Sequence, residues 1–389
     1  MPILDLPEYF TWATQANRTQ TPASAGITAS FGHDYSQRPA PRMMNYIHNI
    51  QGRWAQRAVA TAAGTWTGLT DQVAGSGVDL RGIVRNDTNG YWIIVDSTGQ
   101  SYRSYDGVSW ETVGSTSVAP VTFCRMINNT TDGVLVGTAT TIEYTQSASA
   151  WSSTGTAAAV LANKGVNDFF LSSTGSTLSR WLTGIGGGAT APSSTSWGGT
   201  AIADITGRGD STTNWALAEA AASGSIHLSS DDGDNWTAAP ADPASVIAGF
   251  QTIALGYDDG TLVAVGFTGA TPRIAYSTDE STTWTAANYE PFYPTTSSAF
   301  LRVLPLGNKC WIAAEASGPL IPVARTSRCL SLWISIDDAA NWYPVSMTYD
   351  NSGITNNVLI YNMWCDGTTV MAVGTEEVLA RSGSIGAEY

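Results

Sequence analysis

The stretch Ser229-Ser230-Asp231-Asp232-Gly233-Asp234-Asn235-Trp236 has the form SxDxGxxW, and its fixed letters favour a tight turn between two strands. Ser and Asp side chains accept hydrogen bonds from nearby backbone N–H groups and can hold such a turn closed. Gly233 supplies a positive φ angle without steric cost. Trp236 begins the outgoing strand, where its large ring can be buried. We call this pattern a Ser-Asp turn.

The pattern recurs along the chain. Ser277 to Trp284 and Ser335 to Trp342 keep Ser, Asp and Trp in register and lack only the Gly, while Ser104 to Trp110 is one residue shorter. Weaker copies end at Trp151 and Trp197. Since repeated agreement in one register is improbable by chance, the sequence predicts a repeated structural unit. The predicted turn residues are Ser104, Asp106, Gly107, Trp110, Ser229, Asp231, Gly233, Trp236, Ser277, Asp279, Trp284, Ser335, Asp337 and Trp342.

Strand-like runs separated by Asn-Gly or Asp-Gly pairs precede these turns. Tyr91 to Val95 follows Asn89-Gly90, and Thr261 to Val265 follows Asp259-Gly260. Such pairs mark two-residue hairpins, so each unit predicts a four-stranded antiparallel meander, which is one blade of a β-propeller. The closing Trp residues, counted from Trp66, lie 39 to 58 residues apart. The sequence predicts an all-β, seven-bladed antiparallel propeller, with six blades as the alternative.

Partial units stand at the two ends of the repeat region. Residues 64–70 hold a single outgoing strand, and residues 357–381 hold three strands without a closing Trp. Pairing these two pieces would complete one blade and remove two open sheet edges. We therefore expect a propeller domain over residues 65–389, closed by the strand at 64–70.

The Ser-Asp turns resemble the Asp-box, or BNR repeat, of sialidase-like β-propellers. That resemblance implies a fold, with the box on the outer part of each blade, and says almost nothing about chemistry. Sialidases of this kind usually carry an early Arg-Ile-Pro motif, whereas the only Arg-Ile here is Arg273-Ile274, followed by Ala275. We expect no enzymatic activity and no catalytic residues. A glycosidase with another carboxylate pair stays open, because the relevant separation is a distance in space.

Residues 1–40 form a segment rich in Pro, Thr, Ser and Ala, without hydrophobic periodicity. Such a segment cannot bury itself, so it is either disordered or an extended arm that lies along a partner, and its aromatic residues favour the arm. Phe10 and Trp12 are bulky exceptions in this segment and are predicted to anchor the arm in a partner's pockets.

Residues 41–64 predict one amphipathic α-helix, with Pro41 at its start and Gly64 beyond its end. This helix can pack on the propeller or pair with copies of itself, and we favour pairing, with a trimer as the expected state. Its apolar stripe, predicted to contact the partner, contains Met43, Ile47, Ile50 and Trp54.

The N-terminal segment is similar to the virion-attachment segments of tailed-bacteriophage tail fibres and tail spikes. The order of its motifs carries this resemblance: Trp12-Ala13, then Arg38-Pro39-Ala40-Pro41, then Asn45-Tyr46-Ile47-His48-Asn49, and Trp54. Asn-Tyr stands where Asn-Trp is commoner, so the family is not fixed. A generic linker with a packing helix is the simpler alternative.

The resemblance implies a non-enzymatic structural protein of the virion tail, synthesised in the host cytoplasm. Its expected partners are other tail proteins, copies of itself and a host surface glycan. Two alternatives stay open: a glycan-degrading or sialidase-like tail-spike enzyme, and a cellular propeller that serves as an interaction module.

Composition limits other functions. The net charge of −14 disfavours nucleic acid as a partner. No apolar run has the roughly 18 residues needed for membrane insertion. Neither the histidines nor the cysteines have metal-ligand spacing, so no metal or cofactor is predicted, while a Cys310–Cys329 bridge stays open. These residues are His33, His48, His227, Cys124, Cys310, Cys329 and Cys365.

Overall fold

The computed structural model describes most of the chain from 78 to 382, together with Thr67, Gly68 and Val73. These residues belong to the second of the two units into which the chain divides, Val59–Tyr389. The longest segments left out within the span are 154–159, 164–168, 183–192, 290–298, 316–326 and 351–358. The predicted arm and helix lie outside the described residues, and with them Phe10, Trp12, Met43, Ile47, Ile50 and Trp54.

The described residues form β-strands joined by short turns, with one 3-10 turn at Pro243–Ser245. The strands of the first half are β1 Thr67–Gly68, β2 Leu80–Asn86, β3 Tyr91–Asp96, β4 Gln100–Ser104, β5 Glu111–Ser115, β6 Arg125–Asn129, β7 Gly133–Gly137, β8 Ile142–Thr145, β9 Ser152–Ser153, β10 Val160–Asn163, β11 Phe169–Thr174, β12 Thr177–Leu182 and β13 Ser193–Ser194.

The strands of the second half are β14 Ile202–Gly207, β15 Trp215–Glu219, β16 Ile226–Ser229, β17 Thr237–Ala238, β18 Gln251–Asp258, β19 Thr261–Thr268, β20 Thr271–Ser277, β21 Thr285–Ala286, β22 Asn288–Tyr289, β23 Phe300–Gly307, β24 Cys310–Glu315, β25 Ser327–Arg328, β26 Leu332–Ser335, β27 Asn341–Val345, β28 Tyr349–Asp350, β29 Ile360–Cys365, β30 Val370–Gly374 and β31 Leu379–Arg381.

Most of these strands form four-stranded antiparallel meanders in chain order. The sheets are β2 to β5, β6 to β9, β10 to β13, β14 to β17 and β18 to β21. A further sheet contains β23, β24, β26 and β27, with β22 added in parallel beside β27. The last contains β29, β30, β31 and β1, while β25 and β28 form a separate pair.

The hairpin between β2 and β3 shows how the sequence specifies these sheets. The N–H of Gly90, at φ 70°, donates to the carbonyl of Asn86 at 2.8 Å, and Asn86 pairs with Tyr91. Every residue of β3 is buried. Neighbouring sheets cover both of its faces, which explains the continuous apolar run where a half-exposed strand would alternate.

The first strands of the sheets lie side by side around one axis. Each of β2, β6, β10, β14, β18, β23 and β29 contacts the next, and β29 contacts β2. The described residues therefore form an all-β propeller, and its apolar clusters lie between adjacent sheets. In the described part, no α-helix occurs and no helix has the length and hydropathy of a membrane span.

The N-terminal strand β1 belongs to the last sheet. Thr67 pairs with Arg381 and Gly68 pairs with Ala380, so β1 adds a fourth strand outside β31. Both pairs join the segment at 64–70 to the blade at 357–381, as the predicted closure of the ring requires. One sheet built from both ends of the ring resists opening, because separating it breaks main-chain hydrogen bonds.

Most first strands carry a β-bulge near their start, which shifts the register with the second strand by one residue. The residues left unpaired by these bulges are Arg81, Ala203, Ile253, Leu301 and Tyr361. A bulge bends the strand and changes which side chains face the axis. The residue after the bulge is Asp204 in β14, Arg302 in β23 and Asn362 in β29, and all three line the same cavity.

Candidate functional site: an arginine-lined axial cavity

The Ser-Asp turns, which the sequence pattern identifies, are closed by their own side chains. Ser229 Oγ donates to Asp231 Oδ1 at 2.8 Å and accepts the N–H of Gly233 at 2.9 Å. Asp231 Oδ1 also accepts the N–H of Asn235 at 3.0 Å. Both side chains therefore close the turn through backbone N–H groups.

The same geometry recurs in the other turns. Ser277 donates to Asp279 at 2.8 Å, Ser335 donates to Asp337 at 2.9 Å, and Ser104 donates to Asp106 at 2.9 Å. These four turns connect the third and fourth strands of their sheets. The turns are peripheral, because the first strands lie at the axis.

Positive φ angles persist where the glycine is missing. Ser281 and Ala339 occupy the position of Gly233 with φ 69° and 66°, against 80° for the glycine. A left-handed conformation costs a residue with a side chain about 1–2 kcal/mol. The turn hydrogen bonds offset this cost, so the Ser-Asp pair specifies the turn more strongly than the glycine does.

The closing Trp residues are connected to the turns through their indole N–H groups. Trp236 donates to the carbonyl of Gly233 at 2.9 Å, and Trp342 donates to that of Ala339 at 2.8 Å. Trp284 donates to Ser281 Oγ at 2.8 Å. The Trp therefore holds the left-handed residue in place, a role that the sequence pattern did not reveal.

The turn carboxylates are stabilised in their charged form. Hydrogen bonds from the backbone N–H groups of Ser109 and Val108 hold the pKa of Asp106 well below its ordinary value. Hydrogen bonds from Asn235 lower the pKa of Asp231, and hydrogen bonds from Thr283 lower that of Asp279. The low pKa values therefore have a structural cause and indicate no catalytic role.

Acidic residues beside the turns also contact neighbouring sheets. Arg180, on β12, pairs with Asp234 at 2.8 Å, and Arg208 pairs with Glu280. Exposed ion pairs of this kind stabilise a protein by about 0–1 kcal/mol. They connect adjacent sheets around the periphery of the ring.

A cavity of about 200 Å³ lies at the axis, lined by residues of six first strands, β6, β10, β14, β18, β23 and β29. Much of the lining is apolar, including Leu161 and Met363. The polar side chains are Arg125, Asp204, Thr206, Arg302 and Asn362. The cavity therefore joins apolar side chains to a few convergent charged groups, which can orient a small molecule.

Arg302 is partly buried and is held by main-chain carbonyls. Its Nε donates to the carbonyl of Tyr361 at 2.9 Å, and its Nη1 donates to the carbonyl of Leu301 at 2.6 Å. Burial, together with repulsion from Arg125, lowers the pKa of Arg302 to about 9. The guanidinium is therefore charged at neutral pH, at a cost that an anion in the cavity would reduce.

Asp204 is the carboxylate nearest to these arginines and is 5% exposed. Its Oδ2 accepts the N–H of Leu255 at 2.9 Å, and its Oδ1 lies 3.5 Å from Arg125 Nη2. Asp204 is the one acid among the described lining residues. The arrangement can bind an anion, and no second carboxylate for acid–base catalysis is among those lining residues.

Sequence reasoning did not identify these cavity residues. Ile202-Ala203-Asp204, Phe300-Leu301-Arg302 and Ile360-Tyr361-Asn362 place a polar residue third in three first strands. Alignment of the repeats on their first strands, in place of the turns, would have revealed this recurrence. The sequence alone could not show that bulges direct these positions to one cavity.

The described residues contain no group of three or more His, Cys, Asp and Glu side chains placed to hold a metal ion. Cys124, Cys310 and Cys365 are free thiols, and burial raises the pKa of each. Cys329, which the sequence left open as a partner of Cys310, lies outside the described residues.

Solved structures with the same fold are distant in sequence. YCF48 bound to D1 peptide is 13% identical with a TM-score of 0.56, and the match covers 82% of this chain and 95% of that chain. YCF48 from Cyanidioschyzon merolae is 14% identical with a TM-score of 0.56, covering 82% and 98%. U3-55K is 10% identical with a TM-score of 0.56, covering 82% and 98%. These likenesses show the propeller fold alone.

No curated protein matches the sequence. A family model described as the DUF6242 beta propeller domain matches residues 7–296, a region that includes most of the N-terminal segment. Because this match spans well over half of the 389 residues, the chain belongs to the DUF6242 beta-propeller domain family.

Proposed function

We propose that this protein is a non-enzymatic structural component of a bacteriophage tail, located in the virion after synthesis in the host cytoplasm. The arm at 1–40 and the helix at 41–64 attach it to other tail proteins and to copies of itself. The propeller forms the exposed body. The motif order from Trp12 to Trp54 supports the attachment role.

One observation carries the proposal: the closing strand begins directly after the N-terminal segment. Thr67 pairs with Arg381, so the ring is completed by residues that follow the first sixty or so. A segment that precedes the closing strand and carries apolar side chains such as Phe10 and Trp12 is suited to bind a partner.

The finer architecture belongs to the same proposal. We propose seven blades, each first strand of the axial ring starting one, and we propose that the Ser-Asp turns are Asp-boxes. Shared Ser-to-Asp hydrogen bonds, 2.8–2.9 Å in length, support the second assignment. A host glycan is the proposed ligand of the exposed surface, supported by Tyr105, which is 64% exposed.

Deletion of residues 1–62 tests the attachment role. We expect the shortened protein to keep the far-ultraviolet spectrum and cooperative unfolding of a β protein, because the closing strand is retained. It should be absent from purified particles when it replaces the full chain. In light scattering the full chain should be a trimer and the shortened chain a monomer.

A full-length Tyr105→Leu variant is the matched control and should enter particles normally. Incorporation of the shortened protein at the level of the full chain would contradict the attachment role. A monomeric full chain that never joins particles would favour the cellular interaction module. Release of reducing sugars from host polysaccharide by the purified full chain would favour the tail-spike enzyme.

A further inference from the structure

The axial cavity contains a partly buried positive charge, that of Arg302, with no carboxylate in contact with it among the described residues. In the part of the chain that the structure describes, no carboxylate lies within 4.0 Å of a nitrogen of Arg302. A guanidinium has five N–H donors, and the described hydrogen bonds of Arg302 go to the carbonyls of Tyr361 and Leu301. Arg302 is one of the residues that line the cavity.

Asp204 does not neutralise Arg302. One of its oxygens accepts the N–H of Leu255, and the other faces Arg125 at 3.5 Å. It acts on Arg302 only at longer range, where its effect on the pKa is smaller than those of burial and of Arg125. Among the described residues the charge of Arg302 is therefore left without a carboxylate in contact with it.

A second donor in the lining is also unsatisfied. The indole N–H of Trp364 is buried and has no hydrogen-bond partner among the described residues. A buried donor without an acceptor destabilises a protein by about 1–3 kcal/mol. Both Arg302 and Trp364 therefore favour an acceptor that the described chain does not provide.

We propose that this cavity binds a small monocarboxylate, with the carboxylate against the guanidinium of Arg302 and the rest of the molecule against the apolar side chains of the lining. Planar N–H pairs of arginine match the two oxygens of a carboxylate. A singly charged carboxylate neutralises the positive charge of Arg302, whereas doubly charged phosphate would leave an excess negative charge beside it.

The size of the cavity restricts the ligand. Its volume of about 200 Å³ equals roughly six or seven water volumes at about 30 Å³ each. The wall around the arginines includes Met126, Leu161, Val303 and Met363. A monocarboxylate with a short apolar body fits this lining better than a polyanion or an extended polymer does.

Calorimetric titration of the purified full chain with benzoate, benzamide and inorganic phosphate tests the proposal. Benzoate and benzamide have nearly the same shape and differ in charge. We expect saturable one-to-one binding of benzoate, with benzamide and phosphate each weaker by about tenfold or more. Absence of benzoate binding, equal binding of benzamide, or a preference for phosphate would each overturn the proposal.

Variants then locate the site. Arg302→Gln should weaken benzoate binding by about tenfold or more, and Arg302→Lys, which keeps the charge, should restore part of it. Arg103→Gln, on the third strand β4, is the matched control and should bind as the unsubstituted protein does. Unchanged affinity in a folded Arg302→Gln protein would overturn the assignment.

The comparison of benzoate with benzamide needs no variant, so a variant that fails to fold leaves the test intact. Binding is measured on the isolated protein, without particles. Failure of the carboxylate to bind therefore says nothing about attachment to the tail, and failure to enter particles says nothing about the cavity.

Discussion

The guanidinium carbon of Arg81 lies 4.1 Å from the centre of the Tyr361 ring. Each residue is the unpaired residue of a β-bulge, one in the first strand of the sheet β2 to β5 and the other in β29. Asp79 connects to both, because it pairs with Arg81 at 2.6 Å and accepts from Tyr361 Oη at 3.4 Å. These contacts thus join β2 and β29, the first and the last of the inner strands in chain order.

Tyr361→Leu is expected to destabilise the propeller by about 1–2 kcal/mol. The variant loses the cation–π contact with Arg81 and the hydrogen bond to Asp79 in a partly buried setting. Tyr105→Leu is the control, because Tyr105 is 64% exposed and lies 5.5 Å from Arg103. Urea unfolding followed by fluorescence measures the free energy of unfolding of the two variants. Equal losses of stability would argue against a special role for the contact between Tyr361 and Arg81.

Ser229→Ala is expected to lower the free energy of unfolding by about 1–2 kcal/mol. It leaves the buried N–H of Gly233 without its acceptor and removes the donor to Asp231. Ser230→Ala, at the adjacent exposed position, should change stability by less than about 0.5 kcal/mol. Chemical unfolding of the two variants compares them, and a Ser229→Ala protein as stable as its neighbour would contradict the role of the hydroxyl.

The turns show what repeated letters can predict. Ser229, Asp231 and Trp236 were identified from their spacing, and the propeller followed from the recurrence of that spacing. The left-handed angles of Ser281 and Ala339 were not predictable in the same way, because those residue types rarely adopt them. They hold these angles because the turn hydrogen bonds and the Trp fix the backbone.

The cavity shows where sequence reasoning stops. Arg125, Asp204 and Arg302 lie far apart in the chain, and the pattern that Asp204 and Arg302 share, a polar residue third in a first strand, does not include Arg125. Their approach depends on the circular order of the first strands and on one-residue bulges, which change the facing of a side chain without a sequence marker. The fold was therefore accessible from local patterns, whereas the candidate site depended on closure of the ring.

The turn carboxylates give stability an acid dependence. Asp106, Asp231 and Asp279 have folded-state pKa values below the unfolded value of about 3.9. Their contribution is therefore fully present above about pH 4 and is lost as pH falls through the lower folded-state values.

Asp106→Asn is expected to destabilise the protein at pH 7, and the difference from the unsubstituted protein should shrink below about pH 4. Urea unfolding at about pH 7, 4 and 2.5 tests this, with Asp231→Asn expected to behave alike. A difference that stays constant with pH would show that the charge of Asp106 does not stabilise the turn.

In two sheets, a glycine of the second strand stands opposite the β-bulge of the first strand. Gly266 pairs with Thr252 at the bulge of β18, and a Cβ at this position would overlap the carbonyl oxygen of Gln251. Gly374 stands in the same relation to the carbonyl of Leu359. Since both contacts are with backbone, no side-chain rotation can relieve them.

Gly266→Ala and Gly374→Ala are each expected to destabilise the protein by about 3 kcal/mol, because the strands must shift apart. Gly90→Ala is the contrasting control: no atom lies within 4 Å of the added Cβ, and the φ of 70° alone opposes it. That cost is about 1–2 kcal/mol. Denaturant midpoints compare the stabilities of the three variants. If Gly266→Ala were as stable as Gly90→Ala, the two strands could not approach closely at the bulge.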